Sequence, residues 1–170
     1  MKKTKLKQLT LTAIFTAFIA ASAWICVFTP FGINLTLQIF AVCLAAFCLG
    51  AKWGVASVAA YIAIGATGLP VFSAFSGGFG VLFGVSGGFL WGFLITALLC
   101  GISKNIVKKP FKILIMILSV LFCHVVGIIQ FCTVSGNNVW AGFITASLPF
   151  IAKDLILVFL ADFVAKKIKI

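Results

Sequence analysis

The sequence predicts an all-α integral membrane protein: a bundle of about six transmembrane helices, both termini cytoplasmic, with a glycine-rich outer loop between helices three and four. Three observations lead there. Of 170 residues, 64% are hydrophobic and only 9% charged, against about 25% charged in an ordinary soluble domain. The apolar residues gather in runs, and a helix needs about 20 of them to cross a hydrocarbon core about 30 Å thick. All but one of the thirteen lysines flank those runs, on alternate sides.

Taken in order, Lys2, Lys3, Lys5 and Lys7 form a basic N-terminus (residues 1–8) before the first run, Leu9 to Phe28, which Pro30 and Gly32 break. The second run, Leu35 to Leu49, ends at Gly50-Ala51-Lys52-Trp53-Gly54. The third, Val55 to Ala66, is short and closes at Gly68 and Pro70. Residues 71–85 are the glycine-rich loop. The fourth run, Ser86 to Ile102, precedes Lys104, Lys108, Lys109 and Lys112; the fifth is Ile113 to Cys132. Residues 133–147 hold a polar loop and a short apolar piece, Val139 to Ala146, expected to be a half-helix. The sixth run, Leu148 to Ala165, ends in the basic tail 166–170. The first, third and fifth loops carry no lysine, while the second and fourth and both termini carry every lysine except Lys153. Lysine marks cytoplasmic loops, so the chain reads as one multi-pass domain of the cytoplasmic membrane, with an even number of crossings and both ends in the cytoplasm.

Composition also excludes. A net charge of +11 is a feature of nucleic-acid-binding domains, but the lysines lie in separate clumps and there is no arginine to offer guanidinium forks. The six cysteines lie in or beside apolar runs with no CxxC pair, and read as small hydrophobes without disulfide or metal roles. The first run lacks a clean small-residue cleavage site and reads as a retained helix. Gly80, Gly84, Gly88 and Gly92 recur every four residues and would form one packing ridge on a helix. Ser76-Gly77-Gly78-Phe79-Gly80 is too rich in glycine to start a helix and reads as a loop that caps a cavity, since irregular backbone at membrane depth must be buried in protein or line a cavity.

The polar residues inside the runs point to a site. Lys153 and Asp154 lie about 8 Å below the start of the sixth helix, with Ser147 as its expected cap and Pro149 in its first turn. Charge at such depth costs about 2.5–3.5 kcal/mol and marks a pathway or binding site unless the two groups merely neutralise one another. Adjacent helical residues point about 100° apart, so each is expected to need its own partner. Gln38 and Gln130 occupy matching outer positions, while His124 reads as a solitary core residue and Tyr61 as an interfacial or pocket-wall group. Asp162 reads as a surface partner of Lys166. Together Gln38, the Phe72–Gly80 loop, Gln130, Lys153 and Asp154 suggest an outward-facing, apolar-walled pocket.

No GxxxxGK[ST] loop, HExxH or serine–histidine–acid set is evident, and the pocket has one acid where acid–base catalysis usually needs a second group. There is also no convincing internal repeat of the kind found in secondary transporters. The expectation is a binding subunit, not an enzyme, that draws energy from a partner. Ala13, Ala17 and Ala21 make a small-residue stripe on the first helix, suited either to that partner or to packing within the chain.

Several stretches resemble the BioY family, biotin-specific S components of energy-coupling factor (ECF) transporters: Leu35-Thr36-Leu37-Gln38, Gly50-Ala51-Lys52-Trp53-Gly54, Tyr61, Gly65-Ala66-Thr67-Gly68-Leu69-Pro70-Val71-Phe72, Ser76-Gly77-Gly78-Phe79-Gly80, Gly84, Gly87-Gly88-Phe89-Leu90-Trp91-Gly92-Phe93 and Pro149-Phe150-Ile151 with Asp154-Leu155. Members often have Pro-Gly before this aspartate, where Ala152 and Lys153 stand, and a lysine three residues after it, where Leu157 stands. Val85-Ser86 also replaces a frequent Pro-Thr. The resemblance implies that Asp154 accepts from the ureido N–H groups of biotin and that Lys153 attracts its carboxylate. Phe72, Phe75 and Tyr61 would wall the apolar part, with Gln38, Ser76, Gly77, Gly78 and Gln130 nearby. It further implies that Ala13, Ala17 and Ala21 meet a transmembrane coupling subunit, and that two ATPase subunits supply energy. Biotin would be cargo, with no cofactor and no nucleic-acid partner. The alternatives are an S component for thiamine or riboflavin, a membrane-embedded enzyme, or a purely structural subunit.

Overall fold

The computed structural model describes residues 2–29 and 33–168. In chain order its elements are α1 (Lys2–Trp24), the two-residue strands β1 (Cys26–Val27) and β2 (Leu35–Thr36), α2 (Gln38–Ala66), a 3-10 turn (Ser73–Phe75), α3 (Phe79–Leu82), α4 (Gly87–Ser103), α5 (Lys109–Ser135), α6 (Val139–Ala146) and α7 (Leu148–Lys167). By length and composition α1 and α5 can each cross a membrane, as could α2 if it were unbroken, and α6 with α7, bent by 51°, forms a further candidate if the pair is one span. α4 is apolar but shorter.

α2 is a hairpin, not a rod. Gly50 has φ 80° and ψ 175°, a backbone region open essentially to glycine alone. A Cβ on Gly54 would lie 2.7 Å from the Cα of Ala46, whereas eight residues along a continuous helix are about 12 Å apart. The chain therefore doubles back at Gly50, and the second and third apolar runs become the two arms of this hairpin.

Two local expectations change. The first helix stops at Trp24 instead of Phe28, because Cys26 and Val27 pair antiparallel with Thr36 and Leu35. Strands of two residues have no period to read. The expected break at Pro30 and Gly32 lies outside the described residues. The four-residue glycine repeat also fails to make one ridge, since Gly80 lies in α3 and turns separate α3 from α4. Only Gly88 and Gly92 let α4 approach α5 closely: a Cβ on Gly88 would lie 2.6 Å from the Val126 carbonyl oxygen, and one on Gly92 2.8 Å from Cys123 Sγ.

The bundle is tied by polar side chains as well as by small ones, as helices in lipid require. Thr16 Oγ1 donates to the Ser57 carbonyl at 3.0 Å, and Ser57 Oγ to the Thr12 carbonyl at 3.3 Å, joining α1 to the second arm of α2. Thr96 Oγ1 donates to the Ser119 carbonyl at 3.2 Å, joining α4 to α5. The faces turned outward carry exposed Leu118, Phe122, Val125 and Ile129 on α5 and Ile156, Phe159, Leu160 and Phe163 on α7. Such a surface suits acyl chains.

The two ends of the bundle differ. At one, Lys104 Nζ donates to the Cys48 carbonyl at 2.7 Å, and Asp162 lies between Lys112 at 2.5 Å and Lys166 at 2.6 Å. Asp162 thus has the expected Lys166 and a second lysine from α5. The opposite end carries the β-ladder, the 3-10 turn, α3 and α6. Gly101 packs at the lysine-rich end, where a Cβ would press into the backbone of Gly50 and Ala51. Gly101→Ala forces that hairpin turn and α4 apart, with an expected loss of about 1–3 kcal/mol. Thermal unfolding in detergent should show it as a drop of about 2–4 °C per kcal/mol, with an unaltered melting point refuting the close approach.

Candidate ligand-binding site

Asp154 lies in the second turn of α7, about 9 Å from its start, and is buried. Its Oδ1 receives Lys153 Nζ at 2.5 Å, and its Oδ2 faces His124 Nε2 at 3.2 Å. The expectation that adjacent Lys153 and Asp154 need separate partners is therefore corrected: the long lysine stem folds across the helix and the two side chains meet. Each also has another partner. Lys153 Nζ donates to the Thr36 carbonyl at 2.8 Å, and His124 Nδ1 lies 2.9 Å from Ser147 Oγ.

The polar contacts form one connected line. Tyr61 OH accepts from Gln38 Nε2 at 2.7 Å, and Gln38 Oε1 accepts from Thr36 Oγ1 at 3.1 Å. Through Lys153, Asp154 and His124 the line ends at Ser147, so it links both arms of α2, β2, α5 and the α6–α7 break. Buried polar groups are tolerable when each is satisfied, and such a network then specifies one arrangement. His124 is thus not solitary. Ser147 occupies the expected N-cap position of α7, where its carbonyl accepts from the N–H groups of Phe150 and Ile151, but its side chain makes no capping bond, the hydroxyl being committed to His124.

Beside this line is a cavity of about 50 Å³. Its apolar wall combines Phe72 from the loop after α2, Phe89 and Phe93 from α4 and Phe150 from α7 with the aliphatic Ile33, Ile39, Val81 and Leu90. Its polar lining includes Asn34, Thr36, Gln38, Ser73 and Ser86 beside His124, Lys153 and Asp154. Ligand pockets usually hold about 300–1,000 Å³, while 50 Å³ admits only a few waters. A larger ligand must therefore part side chains; of the three charged or ionisable groups, only Lys153 has a flexible stem that is partly exposed, whereas Asp154 and His124 are buried.

Of the residues singled out from sequence, Gln38, Phe72, Lys153 and Asp154 line this cavity. Tyr61 stands behind them, fully buried, holding Gln38 and packing edge-on against Phe72 at 5.4 Å. Phe75 does not line it: this exposed ring stacks on Trp24 at 5.3 Å. Ser76, Gly77 and Gly78 also lie outside the lining and shape the loop above it. Gly78, with φ 94°, donates its N–H to the Gly65 carbonyl at 2.7 Å, and Ser76 Oγ donates to the Ser73 carbonyl at 2.7 Å. Trp24 Nε1 donates to the Pro70 carbonyl at 2.9 Å, clasping the same loop to α1. Gln130 acts one layer out, where its Nε2 donates to the carbonyls of Leu82 and Gly84 at 2.8 and 2.9 Å and holds α3 over the cavity.

Sequence reading missed His124, Phe89, Phe93 and Phe150. Phe89 with Phe93, and Phe150 with Asp154, are four apart and share helix faces, a signal present but unused. Nothing local connects His124 with Ser147 or Asp154. On the outside of α1, Ala13, Ala17 and Ala21 are exposed, and the first two line a separate groove of about 470 Å³ with Thr12, Thr16 and Ile64.

The BioY family model matches residues 1–170. This chain belongs to the BioY family. Over 169 residues this BioY chain is 35% identical to the biotin transporter BioY of Thermotoga maritima, covering 96% of each. It is 33% identical over 165 residues to the probable biotin transporter BioY of Pyrococcus horikoshii, covering 97% of this chain and 98% of that one. A crystal structure of the S-component for biotin from an ECF-type ABC transporter superposes with a TM-score of 0.88 at 28% identity, over 98% of this chain and 93% of that one. The family read from the glycine and aspartate motifs is thus the family of this BioY chain, and its helical membrane bundle is the architecture of that S-component.

The ion pair makes a stability prediction. Lys153→Met leaves Asp154 without its cation and should cost about 1–3 kcal/mol. Adding Asp154→Asn should recover most of that loss, because breaking a buried pair costs more than replacing it. Chemical or thermal unfolding of the two variants checks this, and a double variant no more stable than the single one contradicts it.

Proposed function

We propose that this BioY chain captures biotin at the outer face of the cytoplasmic membrane and carries it inward as the S component of an ECF-type transporter. It is a transport subunit, not an enzyme. The observation that carries the reading is the pairing of half-buried Lys153 with buried Asp154 beside a cavity lined by four phenylalanines, in a chain closely related to biotin transporters.

The chemistry of biotin suits that cavity. Its ureido ring offers two N–H donors, its fused ring and chain are apolar, and its carboxylate is anionic. Asp154 can accept from the ureido N–H groups in a charge-assisted bond, which is about twice as strong as a neutral one. Lys153 leaves Asp154 as the ligand enters and turns its ammonium to the ligand carboxylate. Phe72 and the other rings cover the apolar part. Gln38, backed by Tyr61, sets the floor, while the Ser76–Gly78 loop, steadied by Phe75 on Trp24 and by Gln130 under α3, closes above. These site roles are our reading of the geometry.

The distribution of lysine supports about six crossings with both termini in the cytoplasm, so that the cavity opens outward. The exposed Ala13, Ala17 and Ala21 face of α1 is the surface we assign to a transmembrane coupling subunit, with two ATPase subunits supplying the energy. A small-residue stripe allows close helix approach in lipid.

Equilibrium titration of the purified chain with radiolabelled biotin tests the reading. Asp154→Ala should weaken binding by at least about 30-fold, the equivalent of about 2 kcal/mol for a lost charged hydrogen bond. Lys153→Ala should cost less for biotin amide, which lacks the carboxylate, than for biotin. No biotin binding by the unaltered chain, or tighter binding of thiamine or riboflavin, would overturn the assignment.

A further inference from the structure

Behind Asp154 stands a buried imidazole, that of His124. His124 is 2% exposed, and both of its nitrogens are committed: Nε2 to Asp154 Oδ2 at 3.2 Å and Nδ1 to Ser147 Oγ at 2.9 Å. Ser147 and Asp154 are seven residues apart, two helical turns, and so lie above one another on the face that α7 turns to α5. The imidazole also packs edge-to-face with Phe89, 5.8 Å between ring centroids.

We propose that His124 is the positioning residue for the ligand-binding carboxylate, holding Oδ2 of Asp154 so that Oδ1 is the oxygen offered to a ligand N–H. This rests on the biotin reading above. A carboxylate only accepts hydrogen bonds, so His124 presents Nε2–H to Asp154. In the neutral ring Ser147 donates to Nδ1, and in the imidazolium it accepts from Nδ1–H; the donor toward Asp154 is present in both. The two sides of the carboxylate are therefore unequal. Oδ2 is held by a rigid, buried ring anchored at its far nitrogen, while Oδ1 is covered by Lys153 on a flexible, partly exposed stem. Ligand entry displaces the lysine and leaves the histidine bond in place. Orienting the acceptor before the ligand arrives lowers the ordering cost of binding.

The alternative is that His124 merely fills space. Two polar replacements separate the roles. The glutamine side-chain amide reaches about where Nε2 stands and can still donate to Asp154; the asparagine amide reaches only about as far as Nδ1, near Ser147. Both retain a polar partner inside the bundle. In biotin titrations His124→Gln should bind within about threefold of the unaltered chain, and His124→Asn should bind at least about tenfold more weakly, one charged hydrogen bond's worth. The His124→Asn loss should be equal for biotin and biotin amide, because the carboxylate end is handled by Lys153. Asn and Gln variants of equal affinity, with helical content and melting point retained, overturn the positioning role and leave the biotin assignment standing. An unaltered chain that binds no biotin removes both.

Discussion

Asp154 is an acid at a depth where an unpaired charge would cost several kcal/mol, and much of the architecture around it answers that cost. Lys153 supplies the counter-charge, His124 a second donor, and Thr36 and Ser147 satisfy those two in turn. Lys153 comes from the same helix, but the other members come from elsewhere in the chain, so the whole network is satisfied only when β2, α5 and the α6–α7 break are all in place. A buried ion pair adds little stability over a well-packed apolar substitute. Its retention in a membrane bundle fits a binding function better than a structural one.

The same economy explains the hairpin at Gly50 and the tight approach of α4 to α5. Between helices in lipid there is no hydrophobic drive, and close packing with side-chain hydrogen bonds takes over. Gly50 supplies the positive φ of the turn, glycine at 54, 88, 92 and 101 brings backbones together, and Thr16, Ser57 and Thr96 bond across the seams. That packed scaffold holds the cavity walls, whereas the loop over the cavity is of a different kind. Ala74 and Phe75 both have positive φ, a strained arrangement for residues with side chains, and are steadied by Trp24 stacking on Phe75. A cover under local strain, clasped to α1, suits a segment that must yield to admit a ligand into a cavity of about 50 Å³.

The sequence by itself determined that the chain is a helical membrane bundle, since 64% hydrophobic residues in long runs leave no other way to satisfy the backbone. It also pointed to the family, through glycine and aspartate blocks legible in linear order, and it marked Asp154, Lys153 and Gln38 because polar residues inside apolar runs needed an explanation, while Phe72 was marked through the resemblance. Tertiary structure decided the rest. Whether adjacent Lys153 and Asp154 pair depends on how far a lysine stem can fold across its own helix, which residue spacing does not encode. His124 gained two partners, 23 and 30 residues away in the chain, only because α7 bends away from α6 and packs on α5. Phe75, similar to Phe72 in the sequence, turned out to Trp24 because its backbone has positive φ. Composition and spacing record what each segment prefers; which side chains share a cavity is set by the rotation and approach of whole helices, and those are fixed by contacts distant in sequence.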